Sequence, residues 1–172
     1  YLAGLPAQIG IRETRRILGE HLLQEQELLE GVRFPDAIAQ GTYPVDIHNP
    51  RGRGIVFKHL DGRWREVLPD GSRREGTWTP DGQVQKTPCY QVPYGVLVPR
   101  KVENLLVAGR CISATHEAHG AIRVMVNCMQ FGQAAGAAAA LCVREGYAPR
   151  ELPAPLLRRL LLEQGCCFLG EG

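Results

Sequence analysis

The chain lacks an excess of charge of either sign. Its 172 residues carry 20 Lys and Arg against 18 Asp and Glu, a net charge of +2. A charge that small and evenly spread excludes the electrostatic footprint of a nucleic-acid binder. Lysine is scarce, at 58, 86 and 101 only, so arginine carries the positive charge. Arginine suits bidentate anion contacts and buried ion pairs, although a genome-composition bias produces the same preference. The six cysteines, Cys89, Cys111, Cys128, Cys142, Cys166 and Cys167, show no C-x-x-C spacing. That excludes the usual zinc frameworks and reads as reduced thiols in a cytoplasmic protein. Cys111, Cys128 and Cys142 are expected as small core residues, and the Cys166-Cys167 pair as exposed. No apolar run is long enough to span a membrane: the Ala-rich stretch is interrupted by Asn127, Gln130 and Gln133. No internal repeat is evident. The chain opens at Tyr1 in what reads as the middle of a longer protein.

With 44% hydrophobic residues, the chain suits one globular domain, or most of one. Residues 10–19 read as an extended segment or bend around Arg12, Arg15 and Arg16. Residues 21–30 have helical character stopped by Gly31. Phe34-Pro35-Asp36 looks like a helix start, with Ala37, Ile38 and Ala39 inside and Gly41 ending it. Residues 43–48 read as a strand or extended turn delivering Asp46 and His48. Residues 55–59 and 63–68 flank Asp61-Gly62, a hairpin signal, and Asp70-Gly71 and Asp81-Gly82 mark further turns. Residues 51–86 thus predict a polar antiparallel β excursion. Its Trp64 and Trp78 are interleaved with both signs of charge, which favours a solvated surface over polyanion binding. Residues 89–98 form a strand-like run broken by Pro93, and residues 156–164 an amphipathic helix ended by Gly165.

Residues 104–141, NLLVAGRCISATHEAHGAIRVMVNCMQFGQAAGAAAAL, are the most informative stretch. The run 105–108 predicts a buried strand ending in Gly109-Arg110. A polar loop then leads to a helix over residues 123–146, whose first turn is Arg123, Val124 and Met125. Backbone N–H groups and the positive end of a helix dipole converge there on an anion or an electron-rich carbonyl. An ordinary helix start with Val124 and Val126 in the core is the alternative reading, and both can hold at once because backbone N–H groups make the contacts. Gly132, Ala135, Gly136 and Ala139 share one face of this helix. Each helical Gly costs about 1 kcal/mol relative to Ala, so the pair implies close packing, either within the chain or against a segment outside it. His116 and His119 in THEAH lack the Glu and third ligand of a zinc helix, so no metal site is expected.

This stretch resembles the carboxy-terminal flavin-contacting segment of the FAD-dependent oxidoreductase family, within the glutathione-reductase-like FAD fold. GIRETRRILGEHLL, FPDAIAQGTYPVDIH, YQVPYGVLVPRKVENLLVAGR and LLRRLLLEQG support the resemblance, in the family's order. The G-x-G-x-x-G turn that holds the FAD pyrophosphate in that family is absent. The resemblance therefore implies a carboxy-terminal portion whose amino-terminal FAD-binding half lies elsewhere in an intact parent. The fold class is α+β or α/β: a partial FAD-binding fold with an antiparallel β excursion and a long Gly/Ala-rich helix. Three regions are expected: 1–88 on the substrate side, 89–146 contacting FAD, and 147–172 as linker and terminal helix.

The resemblance implies FAD as cofactor of the intact parent and little retention by this portion alone. Gly109, Arg110, Arg123, Val124, Met125 and Val126 would contact the cofactor. The dipole of the long helix would stabilise negative charge on the reduced ring by roughly 0.3 to 2 kcal/mol. His48, Arg12, Arg15, His116 and His119 are the catalytic candidates: the arginines as a clamp for a substrate carboxylate, His48 oriented by Asp46, and the THEAH histidines as proton donors. Each also has a structural reading, as an ion-pair network or a histidine bonded to a backbone carbonyl. The implied reaction is hydride transfer between a small substrate and flavin, with no nucleic-acid or membrane partner and with self-association through exposed apolar surface. The alternative is a non-catalytic scaffold that retains the ancestral segment. Its small-residue helix would be packed inside the chain, with no cleft at Gly109.

Overall fold

The computed structural model describes residues 4–5, 7–8, 10–49, 52–79 and 87–169. Its architecture is α+β. A short helix α1 (Glu25–Leu29) is followed by strands β1 (Ala37–Gly41), β2 (Val45–His48), β3 (Ile55–Lys58), β4 (Arg63–Val67), β5 (Arg73–Thr77) and β6 (Tyr90–Pro93). Helices α2 (His116–Ile122), α3 (Met125–Glu145) and α4 (Ala154–Glu163) complete it. Residues 10–19, with Arg12, Arg15 and Arg16, form no helix and bend at Thr14, in keeping with the extended segment or bend their sequence implies. Helix α1 opens on a reciprocal cap in which the Gln24 N–H donates to Glu27 Oε2 at 2.8 Å, and Gly31 (φ 66°) ends the turn.

Strands β2-β3-β4-β5 form one antiparallel sheet, and β1 pairs antiparallel with β6. The hairpins at Asp61-Gly62 and Asp70-Gly71 lie where the turn residues put them. Asp81-Gly82 lies outside the described residues. The excursion is joined at its edge by β2, whose Val45 and Ile47 are buried. One end of the polar sheet is thereby tied to the core.

Residues 37–41 form a strand, not the helix that Phe34-Pro35-Asp36 suggested. Ala37, Ile38 and Ala39 are each 2% exposed or less, so consecutive side chains are covered on both faces, which suits a strand between two layers. Helix α3 packs on this strand, and β6 pairs along it. Gly41 sits against Tyr90, whose hydroxyl would lie 2.5 Å from any Cβ placed there. The run 105–108 is likewise not the expected buried strand. Among the described residues it has no ladder partner, and Leu105 is exposed.

The expected single helix over 123–146 is two. Thr115 caps α2 by accepting from the Ala118 N–H at 3.3 Å. Arg123 closes α2, Val124 turns extended (φ −71°, ψ 155°), and α3 begins at Met125. Helix α2 is seated on β2 just before the break. A Cβ on Gly120 would lie 2.8 Å from both the Asp46 carbonyl oxygen and Ile47 Cγ2, so α2 lies almost backbone to backbone on that strand. Helix α3 ends on Gly146 in the left-handed region, whose N–H donates to the Cys142 carbonyl at 2.9 Å. Helix α4 buries Leu157 and Leu161 beneath α3 and β1.

The two kinds of glycine separate in a direct comparison. Gly120→Ala is expected to destabilise the chain by about 1 to 3 kcal/mol through overpacking. Gly136→Ala, where a Cβ meets nothing within 4 Å, should be neutral or stabilising by up to about 1 kcal/mol. Urea denaturation of both variants checks this, and equal effects would refute the tight α2–β2 contact.

Candidate functional site

Segments 10–16, 43–48 and 109–126 meet at the joint between α2 and α3 through Glu13, Asp46, Arg110, His119 and Arg123, and His48 is not among the residues brought together there. Arg123 is the centre of the joint, with 8% of its surface exposed. Its Nη2 donates to the Asp46 carbonyl at 2.8 Å, and its Nη1 lies 3.5 Å from Glu13 Oε2. Its own carbonyl accepts from Arg110 Nε at 3.3 Å. Arg123 is thus not in the first turn of the long helix as expected. It locks that turn to β2 and to segment 10–16.

Glu13 gathers the cations. His116 Nδ1 is 3.0 Å from both of its oxygens, Arg16 pairs with it, and His119 Nδ1 is 3.5 Å away. Burial alone would push the Glu13 carboxyl up, but the His116 hydrogen bond and the Arg16 charge outweigh it and hold the group below its ordinary value. His119 is completely buried. Its Nε2 donates to the Arg110 carbonyl at 2.7 Å, which leaves Nδ1 facing Glu13 without a hydrogen bond. Burial drives this imidazole below its ordinary value, and the Arg110 carbonyl and Glu13 oppose that only in part. His119 therefore sits inside the wall of the site and braces Arg110. His116 is half-exposed.

Asp46 does not orient His48. Its carboxylate accepts from the Tyr43 hydroxyl at 3.0 Å, while His48 is exposed on β2 opposite Ile55. Burial and then the Asp46 contact raise the Tyr43 phenol above its ordinary value. Tyr43 lines a cavity of about 620 Å³ at the amino end of α3, together with Val124, Met125, Val126, Asn127 and Gln130. Tyr90 holds the inner side of this end: its hydroxyl lies 3.2 Å from the Ala121 carbonyl and 3.3 Å from Asn127 Oδ1. No side chain caps α3, so the N–H groups of its first turn point toward the cavity end. Gly109 (φ 80°) presents bare backbone, with nothing within 4 Å of a Cβ placed there.

Several expectations are corrected here. Val126 is 66% exposed and Val124 only half-buried, so neither is a core residue. Cys111 is exposed, and only Cys142 of the three presumed core cysteines is fully buried. Arg110 is exposed and bonds a main-chain carbonyl; no described carboxylate pairs with it. Gly132, Gly136 and Ala139 do not pack inside the chain. They lie with Met125, Met129 and Val143 (75%, 73% and 88% exposed) along an open face of α3.

Glu13 and Tyr43 were missed in the sequence. Glu13 is the one acid among Arg12, Arg15 and Arg16, and an acid inside a run of arginines signals a pairing hub. Tyr43 precedes Asp46 by three residues, a spacing that only the bend before β2 makes productive. Among the described residues, no three His, Cys, Asp or Glu side chains gather in a metal-holding arrangement. No helix among them is long and apolar enough to cross a membrane.

A family model described as FAD dependent oxidoreductase matches residues 1–161. No curated protein and no solved structure matches the chain.

The joint makes stability pH-dependent with a definite sign. The His119 imidazole is held below its ordinary 6.5 when folded. The unfolded chain therefore binds more protons just below that pH, and stability falls as pH drops through 6.5 toward the folded value. Glu13 is held below its ordinary 4.5, so its contribution is complete above that pH and is lost as pH falls through its folded value. Unfolding free energy is thus expected to be flat between about pH 7 and 8 and to decline on acidification, with Glu13→Gln removing the lower step. A wild-type profile that rises as the pH falls through this range would refute the assignment.

Proposed function

The chain belongs to the family of FAD dependent oxidoreductases, and on that premise we propose that it is the carboxy-terminal, flavin-facing part of an enzyme that moves a hydride between a small substrate and FAD. The observation that carries this reading is the amino end of α3. Uncapped first-turn amides and a cavity walled by Tyr43, Val124, Met125 and Val126 meet there, and the Gly109–Cys111 turn packs on the same helix. Such a site fits an electron-rich ring edge, because oriented N–H dipoles favour negative charge. It fits only that end of the cofactor, since the chain has no glycine-rich phosphate turn. FAD, when bound, takes up or returns a hydride.

The chain's own groups then have distinct tasks. The first-turn amides of α3, at Met125 and Val126, donate hydrogen bonds into the cavity. Gly109 leaves room for close approach, and Arg123 holds the start of α3 in register with β2. Arg12, Arg15 and Arg110 supply positive charge on the substrate side, and His116 and His48 are the accessible imidazoles for proton transfer. His119 is a positioning residue, because its only accessible hydrogen bond is to the Arg110 carbonyl.

The open face of α3 supports a longer parent. Helical glycines at 132 and 136 with nothing beside them are costly unless another backbone closes on them. We assign that role to the amino-terminal FAD-binding half, and in its absence the same apolar face would drive self-association. The scaffold alternative required this face to be packed inside and Gly109 to be covered; the exposed face and the open glycine favour the enzyme. The free cysteines support a reducing, cytoplasmic setting.

The full-length parent is expected to release a stoichiometric flavin on denaturation, and the 172-residue chain alone to retain little. A colourless parent would overturn the reading. In that parent, Arg123→Lys and His48→Ala should lower turnover while the fold is kept. Unchanged kinetics in both would favour the scaffold.

A further inference from the structure

We infer that the groove between segment 11–15 and the Gly109–Cys111 turn binds the oxyanion of the substrate, a carboxylate or a phosphate ester. This rests on the oxidoreductase reading above and adds to it the chemical class of the substrate.

The groove has a volume of about 260 Å³, and Arg12, Thr14, Arg15 and Arg110 contribute to its walls. Among the described residues no carboxylate pairs with any of its three guanidinium groups. Glu13 is the one acid in the lining, and it does not cancel them. Its two oxygens are already shared among His116, His119, Arg16 and Arg123. The result is a concave surface with positive charge of one sign and a neutralised acid behind it. Such a surface concentrates anions, and its guanidinium forks match the paired oxygens of a carboxylate or phosphate.

Both walls are built, which separates this groove from arginines scattered over a surface. On one side, Gly109 turns through the left-handed region. The Arg110 main chain is held by buried His119, and Arg110 Nε is anchored on the Arg123 carbonyl. The two terminal nitrogens of Arg110 are left for a ligand. On the other side, the Ile17 N–H donates to the Cys111 carbonyl at 2.9 Å, and Glu13 ties the segment to α2 through His116.

The test uses the flavin-free 172-residue chain at low ionic strength, titrated with succinate and with inorganic phosphate. Binding is read from the amide and arginine Nε shifts of residues 11–15 and 109–111. Saturable binding is expected, weakening with added salt and about tenfold or more in each of Arg12→Gln, Arg15→Gln and Arg110→Gln, since a hydrogen bond to a charged partner contributes roughly that factor. Arg144→Gln, at the exposed end of α3, should leave it unchanged. Unchanged thermal midpoints in the three variants tie the loss to the groove. Absence of saturable binding, or equal binding in all variants, overturns the proposal. Competition by adenosine diphosphate stronger than by inorganic pyrophosphate also overturns it, because the groove would then read the nucleotide of the cofactor and not a substrate oxyanion. A colourless parent would sink the oxidoreductase reading and leave this titration untouched, so the two failures are distinguishable.

Discussion

A buried guanidinium must be neutralised and hydrogen-bonded, or the fold around it fails. Arg123 meets that demand with the Glu13 carboxylate and the Asp46 carbonyl. These two partners come from segments more than thirty residues apart in sequence and many more from Arg123 itself. To satisfy one side chain, the extended amino-terminal segment, β2 and the α2–α3 joint have to converge. The close approach at Gly120 makes the same convergence possible sterically. Everything at the site follows from that knot, including the direction of α3 and the placement of Arg110.

The knot also sorts the arginines into two kinds. Arg16 and Arg123 are spent on Glu13 and serve structure. Arg12, Arg15 and Arg110 pair with no carboxylate among the described residues, and Arg110 Nε rests on the Arg123 carbonyl. The sorting depends on Glu13 having only two oxygens. With His116 and His119 also converging on it, it has nothing left to neutralise the outward-facing charges. Chemistry and stability therefore share one carboxylate, so acid that loosens the joint also disturbs the site.

Helix α3 faces two ways, and this gives the chain its character. Its inner stripe of Phe131, Ala134, Ala138 and Leu141 is fully buried. Its outer stripe of Met125, Met129, Gly132, Gly136 and Val143 is open. A helix carrying small and apolar residues on both faces is built to be covered on both. The described residues cover one.

The hairpins at Asp61-Gly62 and Asp70-Gly71, the extended 10–19 segment and the glycine ends of α1, α3 and α4 were legible because each rests on local backbone preference. The family resemblance was legible because its motifs are long and ordered. What misled was also local. Phe34-Pro35-Asp36 carries good helix-start chemistry, but Ala37, Ile38 and Ala39 are needed on both faces at once, and only a strand supplies that. The polar loop before Arg123 became α2 because Thr115 caps it and Gly120 lets it lie against β2. Asp46 and His48 looked like a dyad by spacing, yet the Tyr43 hydroxyl reaches Asp46 instead. The sequence by itself determined the turns, the helix ends and the family, since those depend on neighbours within a few residues. The hub at Glu13, the burial of His119, the division of the arginines and the open face of α3 were decided only by tertiary structure. Each depends on which distant group arrives to share a charge or cover a surface.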